Sequence, residues 1–180
     1  RCRTLADVTG SALPSSSPEA QGVASVTVLD FVDALERGVH AVHSVVLVRH
    51  GHTIAQGGWA PYRPDLPHAM YSLTKSFTST AVGLAVAEGR LTVDDLVLDL
   101  LDRPAPPGAS RHLAQVRVRH LLTMAVGHES DPMDAMYDTD DWVTAFLTQP
   151  IAHEPGTYFT YSNGASYLLS VIMQRLTGQR

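Results

Sequence analysis

The sequence predicts a mixed α/β fold of the α+β type, and three observations carry the prediction. Residues 69–89 place Leu73, Phe77, Ala81, Leu84 and Ala85 at helical spacing, and a second helical stripe runs through Leu168, Leu169, Ile172, Met173 and Leu176. Between the N-terminal segment and the first stripe, the β-branched run Ser44–Arg49 is joined to Thr53–Gln56 by His50-Gly51-His52, which reads as an antiparallel hairpin with glycine at the turn. The connecting stretches are rich in proline and glycine, as at residues 61–67 and 103–108.

A chain of 180 residues with 44% hydrophobic and 17% charged residues has enough material for one well-filled core. The net charge of -5 and the absence of basic clusters argue against nucleic acid or an anionic membrane as a main partner. No apolar run is long enough for a membrane span. Cys2 is the lone cysteine, so no internal disulfide is possible. Residue 1 is Arg, and no export signal is visible, which leans toward a cytoplasmic location.

Taken in order, residues 1–20 form a turn-rich, flexible lead-in, and residues 21–180 form the folded domain. Ser25 is expected to cap a helix through Leu29, Val32 and Leu35, stopping near Gly38 with an apolar stripe toward a core. His50 and His52 have HxH spacing that could ligate a metal, but the hairpin turn accounts for them and no metal is expected. The helix of residues 69–89 carries no acidic group before Glu88 and is expected to be buried on most faces. Gly89 ends it, and Thr92 is expected to cap a renewed helix through Val97, Leu98, Leu100 and Leu101. A short buried helix over residues 119–124 ends near Gly127, and Gly127–Asp138 reads as a solvated polar connection, with a substrate-gating loop as the alternative. Asp138 or Thr139 caps a helix through Trp142, Phe146 and Leu147, which Pro150 stops. After the turn Glu154-Pro155-Gly156-Thr157, residues 158–161 run extended into the last helix, and Gly178 closes it.

Lys75 is the only lysine among 13 basic residues, and it sits in an apolar helix. A desolvated lysine can lose its proton and act as a base, whereas arginine cannot. Ser72 lies one turn earlier on the same face, beside the free N–H groups of the helix start. A serine next to a neutral amine is an activated nucleophile, although a capping serine followed by a solvent-seeking lysine would look the same in sequence. Tyr161 and Asn163 stand at a corner where an extended segment meets a helix. A tyrosine there can relay a proton, and an asparagine can fix an amide through both donor and acceptor; a core tyrosine and an Asn cap is the alternative.

The order of these motifs narrows the choice. Ser-x-x-Lys at 72–75, then Gly-Arg-Leu-Thr-Val-Asp-Asp at 89–95, Val-Arg-His-Leu-Leu-Thr-Met at 118–124 and Pro-Gly-Thr-Tyr-Phe-Thr-Tyr-Ser-Asn-Gly at 155–164 together resemble the serine β-lactamase-related family. That family embraces class C β-lactamases, penicillin-binding DD-peptidases, esterases of the same fold and nylon-oligomer hydrolases. The resemblance implies an antiparallel sheet flanked by helices plus a helical subdomain. It implies Ser72 as acylated nucleophile, Lys75 as its base partner, Tyr161 as proton shuttle and Asn163 as a contact to substrate and lysine, with no cofactor. The implied partner is a small-molecule ester or amide: a β-lactam, a D-amino-acid peptide, a small ester or a short amide oligomer. A non-hydrolytic penicillin-recognition module on the same fold is the alternative. The family's third motif, a Lys/His-x-Gly triplet on a later strand, has no counterpart through residue 180. The chain is therefore expected to be the N-terminal part of a longer hydrolase, incomplete in its sheet and inactive or partly folded alone.

Overall fold

The computed structural model describes residues 13–38, 41–63 and 66–178, in two compact units that meet in sequence at Ala69 and Met70. Cys2 and most of the expected lead-in lie outside the described residues.

In the first unit, helix α1 (Ser25–Arg37) precedes a two-stranded antiparallel sheet, β1 (Ser44–Arg49) and β2 (His52–Gly58). The hairpin turn puts both His50 (φ 48°) and Gly51 (φ 75°) in the left-handed region, the geometry that matches the right-handed twist of paired strands. A bulge between Leu47 and Val48 shifts the register so that Val48 faces Thr53 and Arg49 faces His52. β2 runs two residues past the expected Gln56. The end of the predicted lead-in is tied down: Thr53 N–H donates to Pro14 O at 2.8 Å, and Ser16 N–H donates to Thr53 O at 3.1 Å. His50 and His52 spend their Nδ1 atoms on Gln21 Oε1 and His50 O, at 3.2 and 3.0 Å.

Ser25 is not the cap of α1. Ala24 occupies that position, and the Glu19 carboxylate reaches across to accept the Ser25 N–H at 2.8 Å. Hydrogen bonding from the Ser25 side chain, and then from its backbone N–H, holds the Glu19 carboxyl below its ordinary range, because the charged form is the better acceptor. The expected core-facing stripe is also not realised: Val32 and Leu35 are half-buried, Leu29 is exposed, and no residue of α1 is fully buried.

The second unit is helical. A single 3-10 turn at Tyr71–Leu73 leads into α2 (Thr74–Ala87), followed by α3 (Val97–Leu101), α4 (Val118–Leu122), α5 (Met133–Tyr137), α6 (Trp142–Thr148) and α7 (Asn163–Thr177). Helix α7 is the centre. Ala165, Leu168, Leu169 and Ile172 recur at helical spacing on its buried stripe, and the helix packs against α2, α3, α4 and α5. Phe146, Leu121, Leu101 and Met136 fill the space around it with at most 1% of their surface exposed. Burying each such side chain contributes about 1.5–3 kcal/mol of transfer free energy.

Four expectations are corrected. Helix α2 is not buried on most faces, because α7 covers only the side bearing Val82 and Ala85; Leu73, Phe77 and Leu84 on the other side are 56%, 64% and 61% exposed. The helix expected from Thr92 begins only at Val97, since Asp95 accepts from both Thr92 N–H (2.9 Å) and Thr92 Oγ1 (2.7 Å) and a bridge from Leu96 to Arg117 keeps the chain extended. The α6 cap is Asp141, which accepts from Thr144 N–H at 3.1 Å and is held by Arg103 at 3.1 Å. Finally, the Gly127–Asp138 stretch is not simply a solvated connection. It contains α5, buries Gly127 and His128, and lines a cavity of about 270 Å³ with Glu129, Asp131 and Asp134.

Candidate active site

The second unit brings all four sequence-predicted site residues together. Tyr71 takes a left-handed backbone, φ 43°, that costs a non-glycine residue about 1 kcal/mol. The turn it opens carries Ser72 directly ahead of α2, and Lys75 follows in the first turn of that helix. Tyr161 ends the extended segment, which forms no strand but is anchored by Thr160 N–H donating to Met124 O at 3.0 Å. Ser162 caps α7 by accepting the Ala165 N–H at 3.0 Å, and Asn163 is the first helical residue.

Ser72 Oγ and Tyr161 OH share a hydrogen bond. Lys75 Nζ donates to Ser72 Oγ at 3.3 Å and to Asn163 Oδ1 at 2.7 Å, and it lies 4.9 Å from the centre of the Tyr161 ring. Lys75 is half-buried rather than buried; Ser72, Tyr161 and Asn163 are exposed, so the cluster opens to solvent. The hydrogen bond from Lys75 and then that with Ser72 lower the Tyr161 phenol below its usual value, because a cationic donor stabilises the phenolate.

Sequence reasoning missed two residues. Asp131, from the loop between α4 and α5, is half-buried against the start of α7, where its carboxylate accepts the Asn163 side-chain amide at 2.9 Å. No local pattern links it to a residue 32 positions later. Behind it, His128 is 4% exposed, and neither ring nitrogen has a hydrogen-bond partner. Burial disfavours its charged form and pushes its pKa down to about 4, against a smaller opposing pull from Asp131. The ring packs edge-on against Phe146, with centroids 5.0 Å apart. Among the described residues, no three His, Cys, Asp or Glu side chains are grouped to hold a metal ion, and no helix is long and apolar enough to cross a membrane.

Comparison with known proteins places this geometry in context. Protein flp of Staphylococcus aureus is 26% identical over 162 residues, which is 81% of this chain and 32% of that protein. The chain thus spans about a third of the length of the curated relatives it matches. The beta-lactamase/D-alanine carboxypeptidase of Pseudomonas syringae superposes with a TM-score of 0.68 at 23% identity, covering 89% of this chain and 46% of that one. EstCE1, a hydrolase with promiscuous acyltransferase activity, superposes with a TM-score of 0.64 at 22% identity, covering 89% and 49%. Both likenesses are of fold, and they match the mixed architecture of a small antiparallel sheet followed by helices. The family model described as Beta-lactamase matches residues 31–180, a span that includes Ser72, Lys75, Tyr161 and Asn163, and on that match the chain belongs to the beta-lactamase family.

Proposed function

We propose that the protein carrying this chain is a serine hydrolase that cleaves an ester or amide through an acyl-Ser72 intermediate. The observation that supports it most is the meeting of Ser72 Oγ with both Tyr161 OH and Lys75 Nζ. A hydroxyl held by two groups able to take its proton is the arrangement an oxygen nucleophile needs.

In this reading the Ser72 proton passes to the Lys75–Tyr161 pair as Oγ bonds to the carbonyl carbon. The resulting oxyanion faces the Ser72 backbone N–H, one of the donors that stabilise it. Tyr161 then returns the proton to the leaving group as the carbon–heteroatom bond breaks. Water attacks the acyl-enzyme by the same route in reverse and releases the acid. Asn163 holds Lys75 through its Oδ1 and contacts the substrate.

The test is the intact mass of the protein after exposure to an activated ester and, separately, to a penicillin, beside a Ser72→Ala control. One adduct that is absent in the control supports acylation at Ser72, and its decay within minutes supports hydrolysis. An adduct that persists for hours favours a recognition module that acylates without turnover. An adduct that forms equally on Ser72→Ala overturns the assignment.

A further inference from the structure

We infer that Asp131 is a positioning residue that sets the orientation of the Asn163 amide and, through it, holds Lys75 beside Ser72. This inference deepens the reading given above and rests on the same cluster. The Asp131 carboxylate accepts four hydrogen bonds. Oδ2 takes the Asn163 backbone N–H at 2.8 Å and the Asn163 Nδ2 at 2.9 Å. Oδ1 takes the Gly164 N–H at 3.2 Å and the Ser162 hydroxyl at 3.3 Å.

The chemistry at the two ends of Asn163 leaves one orientation. A carboxylate only accepts, so the amide nitrogen must face Asp131; the amide oxygen is then left to accept from Lys75 Nζ, 2.7 Å away. Turning the amide over would set acceptor against acceptor at Asp131 and take away the oxygen to which Lys75 donates. The relay therefore runs from the fixed loop at Asp131 through Asn163 to the free end of a long, rotatable side chain. Without it, Lys75 would keep the 3.3 Å contact to Ser72 and its approach to Tyr161 but lose its shortest hydrogen bond, and lysine's rotamer entropy would favour release.

Asp131 also caps α7, because it satisfies the N–H groups of Asn163 and Gly164. A loss of stability on mutation would not separate the two roles, but the mobility of Lys75 would. Since Lys75 is the only lysine, a 13Cε-lysine label gives a single side-chain signal in the 180-residue chain. Asp131→Asn keeps the shape but removes the acceptor-only character, so Asn163 can turn over. We expect the Lys75 order parameter to fall toward that of a free side chain, and acylation by an activated ester to slow by about 10- to 100-fold. The concentration giving half-maximal rate should change by less than about threefold. Ser162→Ala removes the cap at Ala165 and one bond to Asp131 Oδ1 but leaves both Asn163 bonds to Asp131 in place, and it should lower the melting temperature while leaving Lys75 ordered.

Asp131→Asn with Lys75 as rigid as in the parent chain would overturn the inference and leave Asp131 as a cap alone. Equal loosening by Ser162→Ala would do the same. Should Asp131→Asn fail to fold, Asn163→Ala keeps both backbone hydrogen bonds of the cap and carries the test: an unchanged Lys75 order there breaks the relay. If the parent chain shows an ordered Lys75 that Asp131→Asn loosens, yet no ester acylates Ser72 in the full-length protein that carries this chain, the positioning role stands and the hydrolase reading fails.

Discussion

Lys75 Nζ and Asn163 Oδ1 lie 2.7 Å apart, so the first turn of α2 is tied to the first residue of α7 across 88 positions of sequence. The bond turns the lysine inward along the start of α7 instead of outward to water. It also makes the side-chain cluster sensitive to how those two helices pack, which the buried pair Val82 and Ala85 on α2 and the stripe Ala165–Leu168–Ile172 on α7 maintain.

Substitution at this pair separates charge from proton transfer. Lys75→Arg keeps the positive charge but cannot give up its proton. Acylation measured by adduct mass against time should slow at least about 100-fold, as for loss of a general base. Ser72→Ala should give no adduct. Near-parent rates in Lys75→Arg would remove lysine from the proton path.

The lowered Tyr161 phenol has a directly measurable consequence. Of six tyrosines, Tyr161 should ionise first in a phenolate-absorbance titration, below the ordinary 10.0, because the Lys75 and Ser72 hydrogen bonds favour its charged form. Acylation should climb with pH along the same curve. Tyr161→Phe should delete both the early absorbance step and the climb; an early step that survives would belong to another tyrosine.

His128 should make the fold acid-sensitive. Its folded-state pKa is depressed to about 4, so between pH 6.5 and 4 the unfolded chain binds a proton that the folded chain refuses. Stability is unaffected above pH 6.5 and falls as pH drops through that window, by about 2 kcal/mol at pH 5. His128→Leu removes two unpartnered ring nitrogens and keeps an apolar contact for Phe146. Urea unfolding at pH 5 and pH 7 should show a smaller pH difference in the variant than in the parent; an identical difference would place the acid sensitivity elsewhere.

Gly127 admits no side chain. Its φ is 103°, and an added Cβ would sit 2.2 Å from the backbone oxygen of His153. The Gly127 carbonyl also accepts the N–H groups of Ala152 and His153 at 3.0 and 3.1 Å, so the two loops cannot separate freely. Gly127→Ala should destabilise by more than about 3 kcal/mol, since left-handed strain and overpacking act together. A melting temperature within 2–3 °C of the parent would show that the loops yield more easily than their bonding suggests.

What was legible in advance was local. The hairpin, the stretch around Ser72 and Lys75, and the last helix follow from periodicity, glycine placement and turn chemistry within a few residues. The misplaced caps share one cause. Glu19 and Asp141 each supplied a carboxylate where a neighbouring Ser, Thr or Asp was expected, and a sequence offers several candidate oxygens while only the fold brings one within bonding distance. The α2 surface was misjudged for a related reason, because an apolar helix face shows the capacity for burial and not whether a partner covers it.

By itself the sequence determined which residues could react: one lysine in an apolar helix, a serine one turn before it, and a tyrosine and an asparagine at a later corner. Only the tertiary structure decided that they meet, that Lys75 is half-buried with its end bonded to Asn163, and that Asp131 stands behind the amide. The physical reason is reach. Helical and strand periodicities act over a few residues, whereas the orientation of the Asn163 amide is set by a carboxylate 32 positions away and a lysine 88 positions away, which only packing around α7 can bring to the same point.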